Sequence, residues 1–328
     1  MRSSSPRVRA LSGAAPGRIR VSALSGRICR IITGVLLLFL VASAQASIVF
    51  IQGSGNPAFN QRFTELLQSH LGDQVLVRPF SDDARAYPKA PVVTLGPEAL
   101  TDFLETDKSH PVFALLVNRR MVSGFRGSDE VNQSLTSLYY DPPLLRQALI
   151  GRSLLPQATR VSLLARPDDR SSYDALIDEL ARFGLEARVF LVTGEDVLIQ
   201  TLTRALSFGD FLLATPDDVI YNPRTIKHIL LTTYRRNRLV VGPGHAFVRA
   251  GVLASSYAPL TGYARESAEM VRSFLDSGRL PPPAYPTAFD IEVNTQVARS
   301  LNIPLPDQSE IIKGIRELLE QSTAERQP

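Results

Sequence analysis

A chain of 328 residues that is 44% hydrophobic and carries a formal charge of only +4 is long enough to bury a sizeable core and to build two compact lobes. One cysteine, Cys29, rules out an internal disulfide or a cysteine metal cluster. The small positive balance is itself confined to one end, since seven arginines and no acids fall in the first 46 residues. Without them 29 bases face 32 acids, a net charge near −3. That balance offers no basic field for nucleic acid or an anionic membrane surface.

Residues 1–46 read as a secretory signal peptide. The apolar run Ile31–Ala44 is shorter than the roughly 20 residues that span a bilayer, and it ends in the small-x-small pattern Ala44-Gln45-Ala46. Cleavage is expected before Ser47, which removes Cys29 and leaves a periplasmic chain; the alternative is an uncleaved anchor. The rest of the chain alternates short β-branched runs with amphipathic segments. "SIVFIQ" is followed by "NQRFTELLQSHL", then "QVLVRP", "APVVTLG", "PEALTDFLE" and "HPVFALLV". The second half repeats the pattern with "RVSLLARP", "SSYDALIDELARFG", "EARVFLVT", "DVLIQTLTRAL", "GDFLLATP", "PRTIKHILLTTYRR" and "NRLVVGPG". Leu176, Ile177, Leu180 and Phe183 fall at helical spacing, whereas Val161 to Ala165 is apolar on both faces, as in a covered parallel strand. The pattern predicts an α/β fold with right-handed crossovers.

Each predicted strand ends in a Gly, Pro, Asp, Asn or Ser turn: "QGSGNP", "TLGPE", "ARPDDRSS", "ATPDD" and "GPGHAF". Ligands of open parallel sheets bind outside the carboxyl ends of the strands, where helix N-termini present free N–H groups. The same Asp, Asn and Ser residues also serve as ordinary helix caps.

From Leu135 onward the chain resembles bacterial ABC-transporter periplasmic substrate-binding proteins with a type 1 periplasmic-binding fold, of the tryptophan and tyrosine importer-associated kind. The resemblance is carried by "LTSLYYDPPLLRQALIGRSLLPQATRVSLLARPDD", "LLATPDDVIYN", "LVVGPGHAFVRAGVLASSYAPLTGYARESAEMVRSFLDSGRLPPPAYP" and "FDIEVNTQVARSLNIPLP". It implies two Rossmann-like lobes joined by a three-segment hinge that crosses near Tyr140, near Gly244 and at Pro281–Pro286. The first lobe would take 47–138 and 244–281, the second 139–243 and 287–306, leaving a C-terminal helix and tail at 307–328. The helix carries one apolar stripe, Ile311, Ile312, Ile315, Leu318 and Leu319. Packing on its own lobe and service to a partner are both open.

The resemblance further implies a small polar ligand, such as an amino acid, held in the cleft by Ser54, Asn56, Thr94, Gly96, Tyr140, Asp168, Ser171, Asp217 and His245. Asp217 would take an α-amino group, and hydroxyls with helix N-termini an α-carboxylate. Relatives often carry an acid where this chain has His245, so His245 reads either as a group tuned to an anionic ligand and to pH or as a hinge residue remote from it. Catalysis is not expected. The four histidines lack metal spacing, and no G-x-S-x-G elbow, P-loop or dinucleotide fingerprint occurs. No cofactor or metal is expected. The implied partner is an inner-membrane ABC permease, served by a monomer; the alternative is a ligand-sensing or docking protein of the same fold that reports to a sensor kinase or an outer-membrane receptor.

Overall fold

The computed structural model describes residues 47–107, 109–126 and 134–324. The expected signal peptide, with Cys29, and the last residues of the tail lie outside them. Helix α1 (Pro57–Leu71) follows β1 (Ser47–Gln52) and starts where it does because Asn56 accepts the Phe59 N–H and Pro57 fills the first turn. The chain continues through β2 (Val75–Pro79), β3 (Val92–Leu95), α2 (Pro97–Thr106), β4 (Val112–Leu115), α3 (Arg119–Phe125) and β5 (Leu135–Leu138). The five strands form one parallel sheet in the order β2-β1-β3-β4-β5. β3, β4 and β5 are buried along their whole length; the apolar sequences of β3 and β4 suit this, and in β5 the buried Thr136 and Ser137 hydroxyls donate to Pro281 O and Ala114 O.

The second sheet begins after α4 (Leu144–Leu154) with β6 (Arg160–Ala165), followed by a 3₁₀ turn (Pro167–Tyr173), α5 (Asp174–Arg182), β7 (Glu186–Leu191), α6 (Leu198–Phe208) and β8 (Phe211–Leu213). α7 (Ile226–Tyr234), β9 (Leu239–Val241), α8 (His245–Ala250), β10 (Ala254–Tyr257), α9 (Leu260–Ser277), β11 (Asp290–Val293), α10 (Thr295–Ser300) and α11 (Gln308–Ala324) complete it. The strand order is β11-β10-β9-β8-β6-β7, parallel except for the β10–β11 pair.

One boundary differs from the sequence expectation. Residues 244–257, expected in the first lobe, belong to the second sheet, because β10 pairs with β9 on one side and β11 on the other. The chain crosses after Tyr257 instead of near Gly244. From there α9 lies on α1, with Tyr263, Ala264, Ala268, Val271 and Phe274 in the core of the first sheet. "HAFVRAG" therefore closes one more β-α-β unit of the second lobe, since a six-residue helix ending at left-handed Gly251 returns the chain directly to the adjacent strand.

The other two connections are held by specific bonds. At the third, Ala284 donates to Ser137 O and accepts from Tyr139 N, both at 2.9 Å, while Thr136 donates to Pro281 O at 2.6 Å. The chain therefore stays on the first sheet until Ala284 and joins the second at Asp290. Between these points the buried Glu266 of α9 accepts the Thr287 and Ala288 N–H groups at 2.8 Å. Arg146 of α4 donates to Pro286 O at 2.9 Å and lies over the Phe289 ring. Burial lowers the Arg146 guanidinium to about 10, with Glu266 opposing the shift, so it stays charged at neutral pH. α11 packs on its own lobe: Ile311 and Ile315 join the core formed by α4, β6 and β11, leaving Leu318 partly exposed.

Candidate functional site

The carboxyl-end loops of both sheets supply the site. In the first lobe these are the loops after β1, β3, β4 and β5; in the second, those after β6, β8, β9 and β10. Those after β4, β6 and β8 meet at Arg120, in the first turn of α3, whose Nη1 lies 3.0 Å from Asp169 Oδ2 and 3.2 Å from Asp217 Oδ2. Arg166, the first residue after β6, holds the same two carboxylates, with Nε 3.0 Å from Asp217 Oδ2 and Nη2 3.3 Å from Asp169 Oδ2. Two guanidinium groups and two carboxylates thus form one cluster that spans the lobes.

Within the cluster the acids differ. Asp217 is 2% exposed, and its Oδ1 accepts the Val219 and Ile220 N–H groups at 3.0 and 3.3 Å. Both of its oxygens are therefore engaged inside the protein, one by backbone and one by arginine. Asp169 has only side-chain partners, and burial raises its pKa against the attraction of Arg166, with Asp217 and Asp168 adding like charge. On the other side of the pairing, the hydrogen bond to Asp217 raises the Arg166 guanidinium further.

The remaining sequence-nominated residues are distributed as follows. Ser54 and Asn56 organise their own loop: the Ser54 hydroxyl donates to Asn60 Oδ1 at 2.7 Å, Asn60 Nδ2 returns a bond to Ser54 O, and Asn56 caps α1. Thr94 lies fully buried within β3, and Gly96 makes the left-handed step (φ 97°) that lets α2 begin at once. Asp168 and Ser171 stand on the exposed side of the 3₁₀ turn, whereas their neighbour Asp169 faces the cluster. Tyr140 is 55% exposed beside the hinge, edge-on to Tyr263, whose own hydroxyl accepts from Leu116 N and donates to Leu138 O.

His245 opens α8 at the end of β9. Its ring stacks on Tyr257 with centroids 4.6 Å apart and an 18° tilt, and its Nε2 pairs with Glu292 on β11. Burial raises the Tyr257 phenol, with Asp290 and Glu292 adding negative charge. The chain therefore places an acid beside this position through Glu292, from a strand far along the sequence. Arg120, Arg166, Tyr257 and Glu292 carry no sequence-based expectation, and Asp169 enters only as part of the loop Asp168–Ser172. Arg166 had a usable signal, because it follows the β6 apolar run directly; Arg120 had none, because it belongs to the first lobe and acts on residues of the second.

Among the described residues no group of three or more His, Cys, Asp or Glu side chains is arranged to hold a metal ion, and no helix is long and apolar enough to cross a membrane.

Neither a protein-family model nor a curated protein matches the sequence. Solved structures do. A ligand-free, open substrate binding protein with adhesive properties from Clostridium difficile superposes with TM-score 0.59 at 14% identity, over 80% of this chain and 96% of that one. An ABC domain in complex with L-Trp from Streptococcus pneumonia gives TM-score 0.52 at 16% identity, over 82% and 98%. A conserved domain protein from Vibrio cholerae gives 0.52 at 13% identity, over 82% and 98%. At these identities the likeness establishes the fold, which is that of type 1 periplasmic-binding proteins.

Proposed function

We propose that the protein is the solute-binding component of an ABC-type importer, which captures a small polar solute between its lobes in the periplasm and delivers it to a membrane permease. The observation that carries this reading is the contact between carboxyl-end loops of two separate sheets, where Arg120 after β4 reaches Asp169 after β6 and Asp217 after β8. A substrate binding protein and an ABC domain in complex with L-Trp, both of this fold, support it.

An amino acid fits the groups at hand. Its carboxylate matches the guanidinium groups of Arg120 and Arg166, its ammonium matches a carboxylate, and its side chain matches the exposed ring of Tyr140 and the stacked pair His245 and Tyr257. Since both Asp217 oxygens are engaged inside the protein, Asp169 is the better partner for an ammonium group. Ser54, Asn56, Gly96, Asp168 and Ser171 then shape the rim, most of them through backbone and caps, while Thr94 stays inside β3 behind it. The test is isothermal titration with a panel of amino acids, comparing the parent protein with Tyr140→Ala. A solute that binds the parent and loses about tenfold or more in affinity on loss of the ring supports the reading. A solute whose affinity is unchanged by that substitution places the binding site elsewhere.

A further inference from the structure

The near balance of charge over residues 47–328 conceals a segregation. Residues 219–265 hold seven bases and no acid, so the rest of that span carries 22 bases against 32 acids. We infer that the helical layer built largely from this stretch, on one face of the second sheet, is a docking surface for an anionic phospholipid bilayer. The inference does not depend on what the cleft holds. α6, α7 and α8 share one core through Leu202, Leu206, Ile229 and Leu230 with Phe247 against them, so they lie side by side on the same face of the sheet. None of the three helices contains an acid.

The outward positions of α7 and the turn that leads into it are Arg224, Lys227, His228, Leu231 and Arg235. They recur every three or four residues and are all exposed, while Ile226, Ile229, Leu230 and Thr233 are buried. This stripe runs about 16 Å along the helix. Leu231, 49% exposed, stands among the cations, and Ile199 on α6 and Arg249 on α8 extend the layer sideways. Among the described residues no carboxylate forms an ion pair with Arg224, Lys227, Arg235, Arg236 or Arg249. Asp218, which lines the same hollow as Arg224, marks the edge of the basic face. Helix ends do not account for the pattern. Arg235 and Arg249 close their helices, where a cation offsets the dipole, but Arg224 and Lys227 stand at the start of α7, where a cation opposes it. The stripe has no Tyr, Trp or Phe to anchor a protein partner, whereas lipid headgroups need only clustered charge and a shallow apolar contact.

The test uses the full chain with Cys29→Ser and a polarity-sensitive fluorophore on Thr232→Cys beside the stripe or, as a control, on Ser69→Cys in α1 of the other sheet. Vesicles of phosphatidylglycerol and phosphatidylcholine should shift the emission at 232 to the blue and leave that at 69 unchanged. Vesicles of phosphatidylcholine alone should shift neither. Arg224→Gln, Lys227→Gln and Arg235→Gln together should weaken partition about a hundredfold, at roughly fivefold per charge, and raising salt should weaken that of the parent. The thermal midpoint of this variant should not fall, since no ion pair is lost and two of the three cations oppose the dipole. An equal shift at both labels, an equal response to both kinds of vesicle, or a triple variant that partitions like the parent would overturn the inference. Saturable binding to polyglutamate with no response to vesicles would assign the face to an acidic protein and overturn it as well.

Discussion

Asp217 shows how a single acid can belong to the protein before it belongs to a ligand. It accepts two backbone N–H groups and two guanidinium groups while almost fully buried. Asp217→Ala should therefore destabilise the fold by about 2 kcal/mol, since it leaves the Val219 and Ile220 N–H groups of a buried turn without an acceptor, while the part-exposed Arg120 and Arg166 keep Asp169. Asp217→Asn, which keeps an acceptor for the two N–H groups, should recover a good part of that, and urea unfolding of both variants measures it. A second residue-scale expectation concerns Asp107. Burial opposes its charge, but bonds from the Ser109 N–H, the His110 ring and the Ser109 hydroxyl outweigh it and lower the pKa. A lowered carboxylate contributes stability above the ordinary range, about pH 4, and loses it as pH falls through the lowered value. The unfolding midpoint should fall in that acid window, and Asp107→Asn should flatten the fall; an equal slope in both proteins would contradict it. At this scale sequence gave the loops but not the choice within them. Asp168 and Asp169 are adjacent on a 3₁₀ turn, where successive side chains point about 120° apart, and only one of them faces the cluster.

Elements were more legible. The strand and helix runs in chain order correspond to the observed ones because apolar spacing, caps and turn residues agree at most boundaries, as at Asn56 and Pro57 before α1. Close packing between elements was not visible, because it depends on which residues meet. Gly151 is the clearest case. A Cβ there would lie 2.6 Å from the fully buried Phe211 ring, so α4 can approach β8 only with glycine at that point. Gly151→Ala should cost about 1–3 kcal/mol, read as a lowered thermal midpoint, although alanine is the better helix former. α11 offers a complementary check. Ile315 is fully buried in the second-lobe core, and Ile315→Ala should cost about 2 kcal/mol or more. An unchanged midpoint would mean that the helix contributes nothing to its own lobe.

At the scale of the whole molecule, the α/β class is legible in the repeated strand-helix pattern and the two-lobed plan in chain length and the family resemblance, but the second crossing falls after Tyr257 and not near Gly244. A six-residue helix followed by the four-residue strand "ASSY" carries too little periodicity to announce which sheet it joins; that was fixed by antiparallel pairing with β11, more than 30 residues away. The same long-range logic brings Arg120 to Asp217 and His245 to Glu292. Sites assembled from both lobes are for this reason the part of such a chain least written in its local sequence. The most direct test of solute capture is native mass spectrometry of the protein purified gently from cells that express the full chain, compared before and after denaturation. Solute capture predicts a bound small molecule that denaturation releases. A protein that stays empty, and whose thermal midpoint does not move across amino acids and related polar solutes, would contradict it.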